Sequence, residues 1–400
     1  MSLNSTPNAE RTHIGIFGRR NAGKSSLINA LTGQSLAVVS DVAGTTTDPV
    51  SKAMELLPLG PVLITDTAGL DDEGALGGLR VDKSYRVLFK SDIALVVIDA
   101  TQGENEYDIK VISNLKEQKI PYIKVYNKCD LIDSEKPIAD NEIYISAASG
   151  KNIHELKELI AKQLDTGDND KHICADLLSP SDIAVLVVPI DSAAPKGRLI
   201  LPQQQTIRDI LEAGAISAVC KETELTDTLS SLGKKPRLVI TDSQAFANVS
   251  KEVPQDIPLT SFSILFARYK GDLEQNVKGV TMLDRLNDGD KILISEGCTH
   301  HRQCDDIGTV KLPRWIKEYT GKDIELEFSS GGEFPRELQK YSLIIHCGGC
   351  TLNEREMKYR LACAADAGVP MTNYGIAIAY INGILKRCVE PFENIRSLLE

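Results

Sequence analysis

The run Gly18-Arg19-Arg20-Asn21-Ala22-Gly23-Lys24-Ser25 constrains this chain more than any other segment. It fits G-x-x-x-x-G-K-S/T between a strand-like stretch, 13–17, and a helical pattern that starts at Lys24. Glycines at those positions let successive backbone N–H groups curl around a phosphate. Lys24 would reach the β- and γ-phosphates, and the Ser25 hydroxyl would bind Mg²⁺. A strand, a loop and a helix in that order predict an α/β domain. Gly18, Asn21, Ala22, Gly23, Lys24, Ser25 and Ser26 would line its nucleotide site.

Four further motifs follow in the order such a site requires. Asp66-Thr67-Ala68-Gly69 ends a strand-like run, 62–65, placing a carboxylate near Mg²⁺ and Gly69 near the γ-phosphate. Asn127-Lys128-Cys129-Asp130 follows the run 122–126. Asp130 can accept both the N1–H and the N2 amino group of guanine, which adenine does not offer, so the site selects GTP. Ser146-Ala147 follows the next run, where a backbone N–H can bind the guanine O6. Gly44-Thr45-Thr46-Thr47-Asp48 lies between the phosphate loop and Asp66, and a Thr there can close over the γ-phosphate and Mg²⁺. The predicted catalytic set is Lys24, Ser25, Thr46, Asp66 and Gly69. Arg19 and Arg20 read as solvated, and Cys129 as a packing thiol.

Strand-like and helical runs alternate along all 400 residues, too many for one ordinary core. The expected organisation is three α/β domains with parallel strands: 1–168 for nucleotide, 169–262 for self-association, and 263–400 for a metal group. The polar stretch 165–171 reads as the first linker. Lys and Arg total 45 against 56 Asp and Glu, a net charge of -11, which argues against a nucleic-acid partner. No apolar run is long enough to span a bilayer, and the first residues do not resemble a signal peptide. A cytoplasmic, reducing location is expected.

There are nine cysteines, and six fall after residue 250: Cys298, Cys304, Cys347, Cys350, Cys363 and Cys388. In a reducing location such clustering points to metal or redox chemistry. Cys298-Thr299-His300-His301 follows the predicted strand 291–295, and His346-Cys347-Gly348-Gly349-Cys350 follows the predicted strand 342–345. Both groups would lie past the C-terminal ends of parallel strands, where α/β sheets place ligand sites. Spacing alone leaves zinc, an iron–sulfur cluster and a redox pair open. Three cysteines plus a weaker fourth ligand tilt the set toward a cluster with one labile iron. His300, Asp305 and His346 are the candidates for that fourth place, and none is singled out. Cys363 and Cys388 read as core residues, and Cys304 as a flanking thiol.

The first segment resembles translation-factor-class GTPases, with features of the MnmE-type branch. Asn21 matches the asparagine that coordinates K⁺ in that branch. Leu70 stands after Asp66-Thr67-Ala68-Gly69, where Ras-like proteins carry a catalytic glutamine. The resemblance implies that K⁺ and dimerisation assist hydrolysis. Register favours Thr46 over Thr45 as the Mg²⁺ ligand, although Thr47 replaces an arginine of the related pattern. The whole chain, with C-x-H-x₄₅-H-C-x-x-C, resembles the [FeFe]-hydrogenase maturation GTPases. That resemblance implies a [4Fe-4S] cluster on Cys298, Cys347 and Cys350. It also implies a homodimeric scaffold that takes a transient diiron precursor from two radical-SAM maturases and delivers it to apo-hydrogenase. A regulatory GTPase with a zinc- or redox-sensing C-terminal domain is the alternative, and an RNA-modification GTPase a further one that the acidic balance disfavours.

Overall fold

The computed structural model describes residues 6–33, 50–67, 87–135, 138–164, 171–190, 199–297, 306–331 and 334–399. They form two compact units, 1–170 and 171–400.

The first unit is a six-stranded sheet in the order β2-β3-β1-β4-β5-β6. Its strands are β1 (Thr12–Gly18), β2 (Val50–Leu56), β3 (Gly60–Asp66), β4 (Ile93–Asp99), β5 (Tyr122–Asn127) and β6 (Glu142–Tyr144). All pair in parallel except β2, which runs antiparallel to β3. Helices α1 (Lys24–Thr32) and α3 (Ile153–Leu164) pack on one face, and α2 (Glu106–Glu117) on the other. With helices on both faces, β4 is buried at every position and its sequence is apolar almost throughout. Chain order reverses at β1, flanked by β3 and β4, and the phosphate loop leaves from that point.

The second unit contains two sheets. One has the order β10-β9-β7-β8, from β7 (Ile183–Val187), β8 (Ile216–Cys220), β9 (Leu238–Thr241) and β10 (Leu259–Ser261). The other has the order β12-β11-β13-β14, from β11 (Lys291–Ser295), β12 (Glu325–Ser329), β13 (Leu343–His346) and β14 (Met371–Asn373). Both sheets are parallel throughout. Their helices are α4 (Leu201–Glu212), α5 (Leu225–Ser231), α6 (Phe246–Glu252), α7 (Phe262–Lys270), α8 (Leu273–Val280), α9 (Leu312–Thr320), α10 (Glu354–Asp366), α11 (Tyr374–Ile381), α12 (Leu385–Val389) and α13 (Glu393–Arg396). A single apolar core joins the two sheets: Leu186 and Ile240 of the first, Ile264 and Leu265 of α7, and Ile294 and Ile345 of the second all belong to it. Each such side chain contributes roughly 1.5–3 kcal/mol when buried.

The sequence pattern places most strands within a residue or two. It misses β2, whose exposed Val50 and Ser51 carry little strand signal, and the three-residue β10. It also misses the helices α6, α7 and α9, the last with only Leu312 and Ile316 fully buried. No helix among the described residues is long and apolar enough to cross a membrane.

Candidate functional site

The phosphate loop is shaped by contacts that leave no room for side chains. Gly18 has φ 148°, and a Cβ there would lie 2.3 Å from the Val97 carbonyl. Gly23 has φ 94°, and a Cβ would lie 2.2 Å from Asn127 Nδ2. That amide donates to the Ala22 carbonyl at 3.0 Å, and Asn127 Oδ1 accepts from the Ala147 N–H at 3.0 Å. Asn127 therefore ties the phosphate loop to the Ser146-Ala147 loop. Asn21 is exposed, with φ 62°, and Ser26 is half-buried at the start of α1.

Lys24 Nζ folds back onto the loop, donating to the Gly18 and Arg19 carbonyls at 2.7 and 2.8 Å. Asp66 ends β3, and burial pushes its carboxyl up against the opposing pull of Lys24 and a Ser25 hydrogen bond. Its buried Oδ1 has no hydrogen-bond partner among the described residues. An orphaned carboxylate oxygen beside a serine hydroxyl suits Mg²⁺, which takes oxygen ligands. Lys128 (φ 66°) donates to Asp99 Oδ2 at 2.6 Å, and Asp130 stands exposed next to it. Ser146 is fully buried. Cys129 is buried and its thiol is pushed up by that burial, as a packing thiol should be. Arg19 departs from the solvated reading: it donates to Gly103 O at 3.0 Å and to Gln102 Oε1 at 3.2 Å. Thr45, Thr46 and Gly69 lie outside the described residues.

In the second unit β11 and β13 are neighbours, with Ser295 opposite His346. The Cys347 N–H extends the ladder to the Ser295 carbonyl at 2.8 Å. Cys347 Sγ accepts N–H groups from Gly297 at 3.1 Å and Gly349 at 3.4 Å. Gly349 has φ 62°, and a Cβ there would meet Met357 Sδ at 2.6 Å. The loop then enters α10, capped by the Asn353 side chain accepting from the Glu356 N–H at 3.0 Å. Cys350 is pushed up by burial, against the pull of Lys270. Lys270 is itself buried and donates to the Leu352 carbonyl at 2.9 Å. Cys298, His300 and Asp305 lie outside the described residues.

His346 has both ring nitrogens engaged. Arg360 Nη1 lies 2.9 Å from Nε2, and since a guanidinium only donates, Nε2 accepts. Nδ1 then carries the proton, donated to the Cys347 carbonyl at 2.7 Å. Burial, and the nearby Arg360 charge, push the imidazole down to about 3, so it is neutral. A histidine held this way has no lone pair left for iron, which removes it from the candidates for the fourth place in this geometry. Arg360, 1% exposed, also donates to Glu356 at 2.8 Å and to Gly331 O at 3.0 Å. Neither Arg360 nor Lys270 follows from the cysteine spacing.

Thiolates that accept backbone N–H groups, and a glycine-shaped loop beside a buried cation, fit the donor set an iron–sulfur cluster needs. The same two cysteines would also suit zinc.

Family comparisons bear on the choice. Residues 173–271 match the hydrogen maturase F dimerization domain, and 274–391 match the hydrogen maturase F tetramerization domain. Together these cover more than half of the chain. The chain belongs to the hydrogen maturase F family. Residues 13–128 match the 50S ribosome-binding GTPase family, so the first unit carries a GTPase domain, which implies GTP and Mg²⁺. GTPase Der of Wolinella succinogenes is 38% identical over 165 residues, 37% of this chain and 35% of Der. The tRNA modification GTPase MnmE of Aquifex aeolicus is 35% identical over 159 residues, 39% of this chain and 35% of MnmE. The chain thus spans about a third of the length of these curated relatives. A solved Era of Aquifex aeolicus, bound to GDP.AlF4-, is 21% identical, covering 55% of this chain and 98% of that one, with a TM-score of 0.35. Sequence reading anticipated self-association in the middle segment; that the last segment matches a tetramerization domain was not anticipated.

Proposed function

We propose that the chain is a GTP-hydrolysing scaffold in [FeFe]-hydrogenase maturation. It binds a [4Fe-4S] cluster, receives a diiron precursor as cargo from radical-SAM maturases, and passes it to apo-hydrogenase. The observation that carries this reading is the C-x-x-C loop at the C-terminal edge of a parallel sheet, two N–H groups on Cys347 Sγ, in a chain of this family. Cys298, Cys347 and Cys350 hold the cluster, with the fourth place left to His300 or Asp305. When bound, the cluster supplies an iron with an exchangeable ligand, to which a donor atom of the cargo can attach. The chain's own groups do the rest: the Gly297 and Gly349 N–H groups hold the Cys347 sulfur, and Arg360, through His346, holds the Cys347 carbonyl.

In the GTPase domain, Lys24 exchanges its two loop carbonyls for phosphate oxygens when GTP enters. Ser25, Asp66 and Thr46 hold Mg²⁺, which neutralises charge on those oxygens. Asn21 is the K⁺ ligand, and Asp130 selects guanine. Hydrolysis gates exchange of partners, since GTPase loops order around the γ-phosphate and relax when it leaves. For self-association, β8 is the edge to which a second copy adds: among the described residues it pairs only with β7, and it exposes Ile216 and Val219 at 52% and 47%.

The test is anaerobic reconstitution with iron and sulfide. A brown protein with about four of each per chain is expected, as a [4Fe-4S] site requires. Cys298→Ala and Cys350→Ala should each lose the colour without losing GTP turnover. A colourless protein holding one zinc would reject the cluster. Brown protein that gives apo-hydrogenase no hydrogen evolution after co-expression with the maturases would reject the cargo role.

A further inference from the structure

The connection from β5 to β6 leaves part of the first sheet uncovered. Among its described residues it holds a short 3-10 turn, Cys129–Leu131, and no α-helix. On this face α2 packs through Val111, Ile112 and Leu115 against β4, leaving Tyr126 only partly buried at the margin of that cluster. Beyond the cluster, Tyr126 and Tyr144 stack with ring centroids 4.9 Å apart and planes 23° apart. They line a cleft of about 590 Å³, a volume typical of ligand sites.

The chemistry of the cleft is specific. Glu104, Asp133 and Glu142 line it. One ammonium, Lys124, serves both Glu104 at 2.8 Å and Glu142 at 3.0 Å, so the acid is in excess. Burial would raise the Glu104 carboxyl, but hydrogen bonds from Lys124 and Tyr126 outweigh it and keep the group ionised. Leu131 and Ile138, at 66% and 46% exposure, form an apolar rim. Tyr144 is 8% exposed, and its hydroxyl, which opens to solvent, has no hydrogen-bond partner among the described residues, whereas the Tyr126 hydroxyl donates to Glu104 at 2.6 Å. A hydroxyl open at the cleft can accept a hydrogen bond from a ligand donor.

A planar cation with several donors meets all these features. A guanidinium stacks on aromatic rings and forks onto carboxylates, where an ammonium is only a point charge. We propose that this cleft receives an arginine side chain of a partner protein, stacked on Tyr126 and Tyr144 between Glu104 and Glu142, with an apolar neighbour of that arginine against Leu131 and Ile138. The Tyr144 hydroxyl accepts one guanidinium N–H.

Occupancy reaches the nucleotide, because the cleft wall is tied to both halves of that site. Asp99 accepts from Lys128 of the guanine motif at 2.6 Å, and from the Thr101 N–H and hydroxyl at 3.0 and 2.6 Å. Arg19 of the phosphate loop holds the Gly103 carbonyl in the same wall. An arginine bridging Glu104 to the opposite side restrains that wall, so it slows GDP release. This regulation rests on the GTP reading of the site.

The experiment uses the full chain loaded with fluorescent mant-GDP and titrated with acetyl-leucyl-arginine amide. Saturable binding and several-fold slower mant-GDP release are expected. The lysine and citrulline counterparts should bind several-fold more weakly. Tyr144→Phe, which keeps the ring stack, and Glu104→Gln should each weaken arginine binding several-fold while still loading mant-GDP. Failure of the unmodified chain to load mant-GDP would count against the nucleotide reading alone. Loading without saturable peptide binding, equal binding of the lysine peptide, or unchanged binding by both variants would overturn the cleft assignment. Binding that leaves the release rate unaltered would overturn the coupling.

Discussion

At the phosphate loop the chain is shaped mainly by its own backbone. Two glycines at positive φ, a lysine folded onto neighbouring carbonyls and one asparagine complete it. At the cysteine loop the strand ladder sets the position, but buried charged side chains from outside the motif set the environment. Arg360 comes from α10 and Lys270 from α7. The first arrangement rests on backbone groups and one neutral amide. The second depends on charges that a fold must keep paired, so damage there spreads into stability.

The largest test of that contrast is Arg360→Met. Glu356 would keep a buried carboxylate without its cation, and breaking such a pair costs roughly 3–5 kcal/mol. Denaturant unfolding should show the loss, and the double variant with Glu356→Met should recover much of it. A single variant as stable as the parent would break the comparison. Lys24→Ala comes next: GTP turnover should fall by roughly 100-fold or more, the scale of losing one positioned charge at a transition state. The absorption spectrum of the reconstituted cluster should be unaffected, and a parallel loss would mean that the two sites are not independently held.

Asp130→Asn probes a single contact. Guanine should lose roughly 10–100-fold in affinity relative to xanthine, the cost of one mispaired polar group. Competition between GTP and xanthosine triphosphate reads this, and an unaltered preference would contradict the guanine contact. The smallest effect is expected from Gly349→Ala. Its left-handed φ costs a side chain about 1–2 kcal/mol, with the Met357 sulfur able to move aside. A shift in the unfolding midpoint with normal iron content would show that the loop tolerates strain that its buried charges do not.

The same contrast explains what was legible beforehand. The nucleotide motifs are short and ordered along the chain, and those at Gly18, Asp66, Asn127 and Ser146 sit at or just past the end of a strand, so the sequence announces them. The placement of the Cys347 loop beside the end of β11 is legible for the same reason: Ser295 and His346 close adjacent strands. Their surroundings were not. His346 reads as a ligand from spacing, and only its two hydrogen bonds assign it to support. Arg360 sits in the helical run Glu354–Asp366 among Lys, Arg and Glu residues that look solvent-facing, and nothing local separates the buried one. Likewise β2 needs its partner β3 to become a strand, since its own pattern is largely exposed.

The core that runs through residues 171–400 has a consequence for how this protein can be divided. Ile240 and Ile345 lie in different sheets but belong to one apolar mass. A cut between α7 and α8 would leave two raw hydrophobic faces rather than two finished pieces. Chimeras that exchange the cysteine-bearing half alone should therefore aggregate, while those that exchange the entire second unit keep its interior intact. In genetic terms the two association segments form one heritable block.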